Sequence, residues 1–243
     1  MPYPVTASHP TASHRIAVLD AAPATVQARV ACVLHDESGF RVASSRNETG
    51  HDGIGNMASL LEDVLKEAGW ERPDLVVVVT GPGSFTGLRT SCSLAAGLAF
   101  GYDCPVVGVT RGEALAEALS AYATEHGLDG WLCVTAARSG RWFVESAAPD
   151  SLTPGSVVAV RQDDWEIPSG CWLIAGDVVD DVLLKAPLSL KIFPVREEAS
   201  MQEIAKSGLK RLEGQTAPRP ALPLYVDPPE AKLPAAGLRA RPE

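Results

Sequence analysis

The chain has 243 residues, 46% hydrophobic and 21% charged, which supplies enough apolar material for a packed core and excludes an intrinsically disordered chain. Thirty acidic residues against 21 basic ones leave a net charge of -9, a field that repels a phosphate backbone, and no Lys/Arg-rich run offsets it. Direct nucleic-acid binding by this chain is therefore disfavoured, and any contact with RNA is expected to run through a partner.

Met1 to Ser13 shows no periodicity and reads as a mobile extension without the basic and apolar regions of a signal peptide. No later segment has the ~20 apolar residues of a membrane span, so a cytoplasmic location without membrane contact is expected. Ile16 to Leu19, Val26 to His35 and Phe40 to Arg46 read as three strands, the last two joined by the turn Asp36-Glu37-Ser38-Gly39. From Gly55 to Ala68 the apolar positions Met57, Leu60, Leu61, Val64 and Leu65 mark one helical face, and Gly69 supplies the stop. Leu75 to Val79 is a continuous β-branched run, as a strand covered on both sides requires.

After a Gly-rich turn, a helix is predicted over Thr86 to Gly101, then a strand at Val106 to Val109, a helix at Arg111 to His126, and strands at Trp131 to Thr135, Arg141 to Ala147 and Trp172 to Ala175. Ser200 to Leu212 is expected to be a closing helix. Pro218, Pro220, Pro223, Pro228, Pro229, Pro234 and Pro242 then mark an extended tail, with Leu222 to Val226 its one candidate for local order. The order of elements is that of an α/β protein. Cys32, Cys92, Cys104, Cys133 and Cys171 have no CxxC spacing, sit in or beside apolar runs and read as buried reduced thiols.

The turn Gly81-Pro82-Gly83-Ser84-Phe85-Thr86-Gly87-Leu88-Arg89 joins a buried strand to a helix, with Ser84 or Thr86 placed to cap it. Exposed N-H groups at such a place can hold an anion. The spacing fits neither a Walker loop, which needs Gly-Lys where Thr86 stands, nor a dinucleotide loop, where Gly87 comes one position late. A tight structural connection is the reading that the residues favour.

That nine-residue string resembles the signature of the TsaB family, also called YeaZ, and the resemblance extends from Ile16 to about Leu119. Weaker echoes lie at Ala137-Arg138-Ser139-Gly140, Gly176-Asp177 and Pro223-Leu224-Tyr225. The resemblance implies a two-lobed, duplicated ribonuclease-H-like or actin-like fold with mixed sheets flanked by helices. On that basis the lobes are expected at 14–104 and 105–198, the closing helix at 199–216 and the tail at 217–243. It further implies a subunit without catalysis or cofactor of its own. Such a subunit pairs with a larger homologue, TsaD, and a small ATPase, TsaE, in forming N6-threonylcarbamoyladenosine on tRNA; pairing with a second copy is the other option.

In that family the first two helices associate with a partner as a bundle. Met57, Leu60, Leu61, Val64, Leu88, Cys92, Ala95 and Ala99 are the expected interface, and Asp20 with Arg138 a vestigial cleft. The sequence departs from the family at Asp20-Ala21-Ala22, Ala136, Arg141 and Asp227, where the family commonly has Asp-Thr-Ser, Asp, Glu and Arg. Two other chemistries would need residues of their own. A glycoprotease-type peptidase would need an HExxH pair, which His9, His14, His35, His51 and His126 do not form, or a GxSxG elbow, which Pro82 interrupts. A weak ATPase or kinase on an actin-like fold would need a polar phosphate loop and metal-binding carboxylates, of which Asp20 alone is present.

Overall fold

The computed structural model describes residues 13–23, 27–138, 140–185, 191–194 and 198–226. Except for Ser13, the expected N-terminal extension lies outside the described residues, as does the tail beyond residue 226.

Strands β1 (His14–Asp20), β2 (Gln27–Asp36) and β3 (Gly39–Thr49) form an antiparallel meander, and β4 (Leu75–Gly81) and β5 (Val106–Thr110) extend it in parallel to give the order β3-β2-β1-β4-β5. Gly39, at φ 98°, closes the first hairpin, where Asp36 Oδ1 accepts from the Ser38 amide at 2.9 Å. A second sheet repeats this plan. Its strands β6 (Gly130–Ala136), β7 (Arg141–Ala147) and β8 (Val158–Arg161) form the meander, and β9 (Cys171–Ala175) and β10 (Lys191–Pro194) the parallel extension, in the order β10-β9-β6-β7-β8. The chain thus has the duplicated ribonuclease-H-like, actin-like architecture, with two mixed sheets flanked by helices.

Three helices, α1 (His51–Gly55), α2 (Met57–Ala68) and α3 (Phe85–Tyr102), cover one side of the first sheet, with α2 over β2 and β3 and α3 over β4 and β1. The other side shares its core with the second sheet through α4 (Arg111–Glu125) and α6 (Met201–Leu212); Val77, Val109, Leu115, Leu119, Trp131, Leu173, Ile204 and Leu209 all belong to it. Gly208 lets α6 reach the sheet, since a Cβ there would lie 2.3 Å from Val77 Cγ2. Both α4 and α6 begin with a capping box, Thr110 with Glu113 and Ser200 with Glu203. Helix α5 (Val179–Lys185) packs on the far side of the second sheet.

Two expectations need correction. The lobe boundary expected between residues 104 and 105 falls inside the first lobe, because β5 hydrogen-bonds to β4. The tail expected from residue 217 is pinned to the sheet up to residue 226: Gly108 N donates to Arg219 O at 3.0 Å, Leu224 N donates to Thr80 O at 2.8 Å, and Ala221 is buried. These contacts satisfy backbone groups beside β5 that an edge strand otherwise leaves open. Four short elements, α1, β8, α5 and β10, had no sequence signal, since four to seven residues hold too little periodicity to stand out.

Candidate functional site

The signature turn is a packed joint. A Cβ on Gly83 would lie 1.9 Å from Ala22 O, and one on Gly87 would lie 2.0 Å from Ala21 O. Ser84 N donates to Ala22 O at 2.8 Å, and Ser84 Oγ caps α3 by accepting from Gly87 N at 3.3 Å. The amides of Ser84 and Gly87 are thus spent within the chain, and Gly83 and Gly87 are explained by the close approach of Ala22 and Ala21. Gly81-Pro82 is a cis peptide, and Gly81 itself packs against Leu88 and Leu224.

At the outer lip of the joint, Phe85 is 44% exposed. The Arg89 guanidinium lies 3.7 Å above its ring, and Arg89 Nε donates to the Tyr225 hydroxyl at 2.8 Å. Arg138, arriving from the end of β6, places its guanidinium 5.9 Å from the same ring. Thr86 is exposed beside them.

The seam between the sheets, at the ends of β1, β5, β6 and β9, is filled by the chain's own charges. Asp20 is 2% exposed; its Oδ1 accepts from Ala22 N at 2.9 Å and its Oδ2 pairs with Arg29, which also reaches Glu198 at 3.2 Å. Asp20 and Arg138 therefore do not form a cleft together: one is locked to Arg29 and the other lies on an exposed ring. Buried Arg111 pairs with Asp177 at 2.7 Å, while Asp177 also accepts from Ala136 N at 2.8 Å. Glu145, buried on β7, accepts from Thr110 Oγ1 and, at 2.8 Å, from Gly112 N; burial pushes its carboxyl up to about 7. Burial also works to raise Glu113, but hydrogen bonds and charge from Arg211, the Thr110 amide and nearby Arg219 outweigh it and hold that carboxyl below its usual range. Sequence reading placed the start of this helix at Arg111 but missed the network, of which the capping-box pattern Thr110-Arg111-Gly112-Glu113 marks only Thr110 and Glu113.

Burial sets the character of the core thiols. Burial raises Cys32 to about 12 and Cys92 to about 11, and raises Cys133 as well. Cys104 and Cys171 are half-buried rather than buried as expected. Among the described residues no group of three His, Cys, Asp or Glu side chains is placed to hold a metal ion, and no helix is long and apolar enough to cross a membrane.

The expected partner interface is corrected by burial. Met57, Leu60, Leu61, Val64, Cys92, Ala95 and Ala99 lie in the core beneath α2 and α3, and Leu88 lies in the central core. The reason is physical: the apolar face that periodicity detects is the one a helix lays on its own sheet. What remains outside on α3 is a different stripe, made of Phe85, Thr86, Arg89, Ser93, Ala96, Gly97, Phe100 and Gly101, with Leu94 and Leu98 half-buried at its flank. Phe100 is 91% exposed within it. Among the described residues, added Cβ atoms at Gly97 and Gly101 would meet nothing within 4 Å, so no packing among them requires glycine at either place.

Comparison with known proteins agrees with the duplicated fold. The family described as "TsaD: tRNA N6-adenosine threonylcarbamoyltransferase" matches residues 51–141. The tRNA threonylcarbamoyladenosine biosynthesis protein TsaB of Haemophilus influenzae is 38% identical over 61 residues, a stretch that covers 24% of this chain and 26% of that protein. A crystal structure from Pseudomonas aeruginosa, described as similar to peptidase YEAZ, superposes with a TM-score of 0.64 at 22% identity over 88% of this chain and 100% of that one. A structure of YeaZ from the same organism superposes at 0.63, also with 22% identity, over 87% and 99%.

Proposed function

We propose, from the premise that the chain belongs to the TsaB (YeaZ) family, that it takes part in forming threonylcarbamoyladenosine on tRNA as a subunit without chemistry of its own. In this reading it docks through the outward stripe of α3 onto a TsaD-type partner, which carries out the transfer. A TsaE-type ATPase joins the assembly, and tRNA is reached through the partner.

The observation that carries this reading is Phe100, an aromatic side chain 91% exposed amid Ser93, Ala96, Gly97 and Gly101. Burying a Phe side chain contributes about 1.5–3 kcal/mol, and a few such anchors supply most of the affinity of an interface. Small neighbours let a second helix come close enough to bury it. Glycine inside a helix costs up to about 1 kcal/mol relative to alanine, and at Gly97 and Gly101 no contact among the described residues offsets that cost. The seam supports the same reading, since Asp20, Arg111, Asp177 and Glu145 are committed to partners within the chain.

Phe100→Asp is expected to leave the monomer folded and to abolish the complex with the TsaD-type protein of the same organism in size-exclusion light scattering. Reconstituted tRNA modification, scored by nucleoside mass spectrometry, is expected to require the chain and to fail with Phe100→Asp. A wild-type complex carrying that substitution would refute docking through α3, and full modification without the chain would refute the role.

A further inference from the structure

The outward stripe of α3 does not end at its apolar part. Phe85, Arg89, Ser93, Ala96 and Phe100 follow one another at helical spacing, so Phe85 and Arg89 continue the face that holds Phe100. We propose that Arg89 and Arg138, set around the Phe85 ring, form the seat for a carboxylate side chain of the protein that docks on α3. This rests on the docking reading and adds to it the chemistry of the partner and the register in which it binds.

Arg89 is held before any partner arrives. Its guanidinium stacks 3.7 Å above Phe85, and its Nε is committed to the Tyr225 hydroxyl at 2.8 Å. The terminal nitrogens of Arg89 have no acceptor among the described residues, and Arg138 makes no hydrogen bond or ion pair there. Elsewhere in the molecule Arg15, Arg29, Arg111, Arg211 and Arg219 each meet a carboxylate. In a chain with 30 acidic residues, two guanidinium groups gathered on one exposed ring without a carboxylate are a local positive site in an overall negative field. A stacked arginine loses little freedom on forming a two-pronged bond to a carboxylate, which raises both strength and directional preference.

The occupant is a protein carboxylate rather than a nucleic-acid backbone because a run of phosphates would meet the net charge of -9, and the neighbouring α2 turns Glu62 and Asp63 outward. A single acidic side chain on a packed helix avoids that repulsion. Phe100 lies eleven positions beyond Arg89 on the helix, so the partner's carboxylate lies about 16 Å along the axis from the pocket that receives Phe100.

The test is the dissociation constant of the full chain with the TsaD-type protein, measured by calorimetry at several sodium chloride concentrations. Arg89→Ala and Arg138→Ala are each expected to weaken binding several-fold, the double variant by about tenfold or more, with a flatter salt dependence than wild type. Among the described residues Arg138 meets the site at the Phe85 ring and not at Tyr225, so its replacement leaves the Arg89–Tyr225 contact in place and guards against a trivial loss of local structure. A wild-type complex that forms while the double variant keeps both affinity and salt slope overturns the seat and spares the docking reading. An unchanged protein complex with reduced tRNA retention also overturns it, because the arginines would then serve phosphate. Failure of wild type to bind at all refutes the docking reading, and the seat with it.

Discussion

The seam between the sheets and the outward stripe of α3 treat unsatisfied groups in opposite ways. In the seam every charged group discussed has found a partner inside the chain: Asp20 with Arg29, Arg111 with Asp177, Glu113 with Arg211 and Arg219, Glu145 with Thr110 and Gly112. On the stripe the reverse holds, for Phe100 is 91% exposed and added Cβ atoms at Gly97 and Gly101 would meet nothing within 4 Å among the described residues. Groups satisfied inside a molecule have little left to offer a ligand, whereas apolar surface left in water gains by being covered. On this contrast the proposed docking lies on a helix face, and the groove where the two lobes meet is occupied by internal pairs.

The hardest way to break the contrast is to attack the seam. Arg111→Met keeps most of the side-chain volume but leaves Asp177 buried with a backbone amide in place of its cation. Loss of one member of a buried pair is expected to destabilise the chain by about 3 kcal/mol or more, read from urea unfolding. A change below roughly 1 kcal/mol would mean that the seam is wet and exchangeable, and the contrast with the stripe would fail.

Glu145 sharpens the same point through pH. Its folded carboxyl, raised to about 7 from an ordinary 4.5, holds a proton that the unfolded chain has already released. Stability from this group is complete below about pH 4.5 and is lost as pH rises through 7. Carboxylates held low act oppositely: hydrogen bonds and charge from Lys206 and Lys210 lower Glu117, as those from Arg15 lower Asp74, and their contribution is lost in acid. Glu145→Gln keeps an acceptor for Gly112 N and should remove the decline in melting temperature between pH 5 and 8 while leaving the acid limb. An unchanged decline would show that another group is responsible.

The main architecture was legible because its elements are long or chemically punctuated. β4 is a continuous β-branched run, α2 carries a full apolar face stopped by Gly69 at φ 69°, and α6 opens on Ser200 with Glu203. The signature turn was legible as a string, yet the purpose of its glycines was not, since Ala21 and Ala22 approach from more than 60 residues earlier in the chain. Position on a helix misled in a definite way. Periodicity finds the face that packs, so Met57, Leu61 and Leu88 were expected outside and are inside. The stripe that remains has no periodic apolar signal, because Phe85 and Phe100 stand at its two ends and the members between them are small, polar or charged. Nor could Tyr225 be matched to Arg89, since the tail folds back across a separation of 136 residues.

The smallest effect tests the stripe most directly. Gly97 lies inside α3 with helical backbone geometry, and a methyl there would touch nothing within 4 Å. Gly97→Ala should therefore stabilise the isolated chain by up to about 1 kcal/mol, or roughly 2–4 °C in melting temperature for a domain of this size. Gly87, in the first turn of the same helix, has no such latitude, because its methyl would have to displace the backbone at Ala21. If the partner's helix closes on the stripe, the methyl that stabilises the monomer also stands between two backbones, and the bulkier Gly97→Leu should weaken the complex further. A monomer made more stable with a complex made weaker is the signature of a surface kept small for another chain. A fall in melting temperature would mean that the space beside Gly97 is already occupied, and the stripe would belong to the core like the face behind it.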